Sequence, residues 1–102
     1  RQIADYLVYI KDGEVVLNDF LDHLLTQFKI VKGDSNQIDE ELMHLTQYFE
    51  INKTGYTALT TQANVFYEIF GNAVAITSPT IEDLMIYLEK GTPKHNLGLS
   101  NN

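Results

Sequence analysis

The chain has no cysteine, no tryptophan and only two prolines, and its basic side chains number seven against fourteen acidic ones. Without cysteine there is no disulfide framework, no thiol nucleophile and no zinc site built on thiolates, so packing must hold the fold together. That composition suits a reducing compartment, and a cytoplasmic location is the expectation. No apolar run approaches the roughly 20 residues that span a bilayer, and the N-terminus lacks a basic segment followed by an apolar one. Neither membrane insertion nor secretion is therefore expected. The shortage of lysine and arginine leaves a formal net charge of −7, which repels phosphate backbones and disfavours DNA as a partner. Six glycines lie too far apart to form a phosphate-binding loop.

What remains is an ordinary globular composition, 44% apolar and 21% charged over 102 residues, enough for one core and short for two. A single domain over residues 1–91 is expected, followed by a flexible tail over 92–102 that shows no periodicity. Ile3, Tyr6, Leu7 and Ile10 share one stripe of a first helix over 2–12, with Gly13 as its stop. Glu14 to Leu17 suggests a short strand. Phe20, Leu21, Leu24, Leu25 and Phe28 give a second helix capped by Asn18 or Asp19. Asp34 and Gln37 have capping-box spacing ahead of a third helix over about 36–49, striped by Ile38, Leu42, Leu45 and Phe49. Two segments flanking Asn52-Lys53-Thr54-Gly55 predict a hairpin, and a fourth helix follows over 61–71. After an extended Val74-Ala75-Ile76, Ser78-Pro79 predicts the N-cap and first residue of a last helix ending at Gly91.

The expected fold is mainly α with a small β-wing, in the order helix, strand, helix, helix, strand, wing, strand, helix, helix. This order resembles a winged helix-turn-helix domain. The step Tyr56-Thr57-Ala58-Leu59-Thr60 into a helix is similar to the strand-to-helix junction of PadR-type and MarR-type regulators. The resemblance implies a third helix in the major groove and a dimer. Asn36, Met43, His44 and Gln47 would then meet DNA from that helix and Lys53 from the wing. That helix carries no lysine or arginine, and Asp39, Glu40 and Glu41 crowd its start, so the phosphate anchors such a reader needs are missing.

Giving each helix one inward stripe leaves Val8 and Tyr9, Val65 and Ile69, and Ile86 and Tyr87 on other faces, a candidate protein interface. Catalysis finds little support. Glu41-Leu42-Met43-His44 has the spacing of a di-iron ligand pair, but in one copy only. Asp19, Asp22 and His23 suit a polar helix edge equally well. The sequence thus points to a non-enzyme without cofactor or metal, regulatory in character and acting through protein contacts, as a homodimer or with another protein. The alternative is a dimeric DNA-binding transcriptional regulator.

Overall fold

A computed structural model describes residues 5–91, and the expected tail over 92–102 lies outside the described residues. The architecture is α+β, with six strands in two antiparallel sheets and four helices among the described residues. Strands β1 (Tyr6–Lys11) and β2 (Glu14–Phe20) form a hairpin, and helix α1 (Leu21–Gln27) leads into strand β3 (Lys29–Gly33). A 3-10 turn (Ser35–Gln37) and the short helix α2 (Glu40–Met43) precede strands β4 (Thr46–Asn52) and β5 (Gly55–Thr60). Helix α3 (Ala63–Phe70), strand β6 (Ala75–Thr77) and helix α4 (Ile81–Lys90) complete the order.

The mainly α, winged-helix element order is overturned at two places. The expected first helix is instead β1 and the tip of a hairpin. Tyr6 to Ile10 is apolar at every position, so helical spacing and strand alternation fit it equally well. Local turn chemistry decides between them: Asp12 and Gly13 both adopt positive φ, 54° and 81°. A two-residue turn of that hand matches the right-handed twist of paired strands. The expected third helix breaks into the 3-10 turn, four residues of α2 and strand β4. Thr46, Tyr48, Phe49 and Ile51 are strand formers, and β4 pairs with β5 from Thr46↔Thr60 to Asn52↔Gly55. The hairpin at Asn52-Lys53-Thr54-Gly55 is present, but as part of a sheet ordered β4-β5-β3-β6 and not as a free wing.

That sheet divides the core. Cross-strand partners point to the same side, so the register places Ile30, Leu59 and Tyr48 on one face and Val31, Ala58 and Phe49 on the other. The first face packs against the β1–β2 hairpin, α1 and α4 through Leu17, Leu24, Phe28, Leu84 and Leu88. The second packs against α2, α3 and the segment before β6 through Leu42, Ala63, Phe66 and Val74. β5 is buried along its whole length as a result. Burying a side chain such as Leu59 or Phe66 stabilises the fold by about 1.5–3 kcal/mol.

The last helix begins two residues later than the Ser78-Pro79 pair suggests. Thr80 is its N-cap and forms a reciprocal capping box with Asp83, while the Ser78 hydroxyl accepts a bond from Lys29. Asn18 and Asp19 lie within β2, so α1 starts at Leu21 behind Phe20 without a side-chain cap. Its first amide donates instead to the Asp5 carbonyl at 2.8 Å.

Candidate interaction surface

A two-stranded ribbon laid over a core normally turns alternate apolar residues inward and polar ones outward. The β1–β2 ribbon departs from that pattern. Leu7, Tyr9 and Leu17 pack against the first core, yet the opposite face carries Tyr6, Val8, Ile10, Val15 and Phe20, between 46% and 60% exposed. The register pairs them as Tyr6↔Phe20, Val8↔Asn18 and Ile10↔Val15. A shift between Tyr9 and Ile10 leaves Val16 as an extra residue on β2, itself 43% exposed. The Tyr6 and Phe20 rings meet edge to face with centroids 4.9 Å apart, and His23 stands 6.0 Å beyond Phe20. Apart from the Tyr6 hydroxyl, Asn18 brings the only polar group to these three pairs, and none of the six side chains is charged.

The ribbon is held in place from below. The Tyr9 hydroxyl donates to the Glu89 carboxylate, and the Lys11 ammonium donates to the Leu88 and Glu89 carbonyls at 3.1 and 2.7 Å. These are among the last carbonyls of α4, which lack partners within the helix and attract a cation. The hydrogen bond to Glu89 raises the Tyr9 pKa above its ordinary 10.0. Beside it, Tyr48 and Tyr87 stack at 5.0 Å with Lys90 5.8 Å above the Tyr48 ring, and the Tyr48 hydroxyl donates to Glu50. Burial pushes the pKa of both tyrosines up.

The six side chains expected at a protein interface are not gathered into one surface. Val8 lies on the outer face of the ribbon, and Ile69 and Ile86 are exposed on α3 and α4, at 58% and 51%. Tyr9 and Tyr87 come together, but against the first core, and Val65 packs against the second. Sequence reasoning missed Tyr6, Ile10, Val15 and Phe20 as a surface, and the signal for it was Asp12-Gly13 between two β-rich runs. Ile81, Met85 and Ile86 form a second, shallow apolar strip along α4.

Of the residues expected to meet DNA, the four assigned to the third helix lose that shared helix, and Lys53 stays in a hairpin turn. Asn36 lies in the 3-10 turn, Met43 ends α2, His44 follows it, Gln47 is on β4 and Lys53 is in the β4–β5 turn. Asp39 accepts the Glu41 amide as the N-cap of α2, which accounts for the acidic start of that short helix. The Asp19–His23 pair, 3.3 Å apart, is open to solvent on the histidine side. Among the described residues no group of three histidine, aspartate or glutamate side chains is placed to hold a metal ion. No helix among them is long and apolar enough to cross a membrane. No protein-family model, curated protein or solved structure matches the chain.

Proposed function

We propose that the chain is a non-catalytic domain that works through protein contacts, with the outer face of the β1–β2 ribbon as its principal contact surface. One observation carries this reading: five large apolar side chains, each about half exposed, lie side by side on one sheet face. Single exposed apolar residues are ordinary, whereas a contiguous patch of several hundred Å² marks an interaction site. The support beneath the face is fixed by Tyr9 and Lys11, so the patch is presented on a rigid element and not on a loop. Rigid presentation lowers the ordering cost of association.

A photo-crosslinking amino acid at Ile10, introduced in cells that make the chain, tests this. It should give a discrete protein adduct, while the same probe at Glu40, on the far side of the central sheet, should give none. Equal, diffuse labelling at the two positions, or no adduct at Ile10, would remove the support for a contact role of this face.

A further inference from the structure

The outer ribbon face has a chemistry that selects its occupant, and we infer that it pairs with the same face of a second copy of this chain about a two-fold axis near Asn18. The inference rests on the contact reading above and narrows it to one partner.

Charge supplies the first argument. The chain bears a net charge of −7, so two copies repel one another over most of their surface. The three outward pairs, Tyr6↔Phe20, Val8↔Asn18 and Ile10↔Val15, contain no charged side chain. Two copies can therefore meet over these pairs without burying a carboxylate, the neighbouring acidic side chains, Asp5 and Asp22 beside Phe20 and Asp12 and Glu14 at the turn, lying at the two rims. A basic partner, which the acidic surface would otherwise attract, would find carboxylates only at the rims of this face and valine and isoleucine at its middle.

The order of the pairs supplies the second argument. Two aromatic rings stand at one end of the face, two branched aliphatic side chains stand at the other, and Val8 with Asn18 lies between. A two-fold axis through the middle pair lays the aromatic end of each copy over the aliphatic end of its mate. Isologous contacts of this kind need a surface that complements itself. An asparagine at the axis meets that need, because a carboxamide both donates and accepts and can bond to its own symmetry mate.

Area supplies the third. Five side chains from 46% to 60% exposed offer about 450 Å² per copy when aromatic areas of 150–250 Å² are used as the scale. Two such faces with their rims reach roughly 1,200 Å², the lower bound of a specific interface.

Sedimentation equilibrium of the 102-residue protein should show a concentration-dependent dimer. Asn18→Asp and Asn18→Lys should each weaken it at least tenfold, by placing like charges on the axis, and an equimolar mixture of the two should recover a heterodimer. Asn18 is exposed, so both variants should keep the circular dichroism of the parent; Val8→Lys, also at an exposed site, gives a second disruption. A parent that stays monomeric at all concentrations would overturn the inference. So would a dimer that survives these changes but is lost on Ile86→Lys. If the parent is monomeric while the Ile10 probe captures a protein of another mass, the self-pairing fails and the contact reading stands. Absence of both dimer and adduct would sink the two together.

Discussion

Tyr56 and Gln37 form the most consequential polar contact in the second core. The buried Tyr56 hydroxyl donates to Gln37 Oε1 at 2.9 Å, and Gln37 Nε2 donates to the Ala73 carbonyl at 3.0 Å, joining β5 to the segment before β6. Gly33 leaves the room for this junction, since a Cβ there would stand 2.1 Å from Gln37 Oε1. Tyr56→Phe keeps the ring against Phe49 but strands a buried acceptor, a loss of about 1–3 kcal/mol. Thermal unfolding should register it as a fall of several degrees in Tm. An unchanged Tm would mean that Gln37 finds another donor. In the sequence Gln37 reads as the partner of Asp34 in a capping box, because their spacing is local and visible. Its true partners lie 19 and 36 residues away, and a single sequence does not display them.

The elements divide by how much of their determination is local. Helices α3 and α4 and the β4–β5 hairpin lie close to where spacing and turn residues put them, because helical spacing, the α4 capping box and a glycine turn act within a few residues. Strand β1 and the broken third helix do not, because their apolar residues satisfy two periodicities and pairing with distant strands chooses between them. The candidate surface was lost along with β1: a ribbon mistaken for a helix cannot show which side chains share a sheet face. Val8 alone was singled out both ways. The attachment of this ribbon is also testable. Lys11→Met removes both bonds to the α4 carbonyls and should weaken docking of the ribbon by about 1 kcal/mol. Native-state hydrogen exchange at the β1–β2 amides should then quicken roughly fivefold, while β5 amides keep the rate set by global unfolding. Equal acceleration in both would show that the ribbon and the central sheet open as one unit.

At the level of the whole molecule, four tyrosines tie stability to alkaline pH. Burial, with Asp34 nearby, pushes the Tyr56 hydroxyl up to about 12, and Tyr9, Tyr48 and Tyr87 also rise above 10.0. The unfolded chain releases these protons near pH 10, whereas the folded chain retains them, so the stabilisation is complete below pH 10 and declines as pH rises through the folded values. Denaturant midpoints should therefore hold steady up to about pH 10 and fall steeply toward 12. Tyr56→Phe should make that fall shallower; a fall of unchanged slope would place the linkage elsewhere. The sheet order has a consequence of another kind, for synthesis. β1–β2 and β4–β5 close through two-residue turns, but β6 joins β3 from more than 40 residues away, and Leu84 and Leu88 complete the first core after that. A nascent chain emerging from the ribosome thus carries an open half-core beneath its ribbon until α4 is out, and that interval is when the unfinished domain is most exposed to chaperones and to its neighbours.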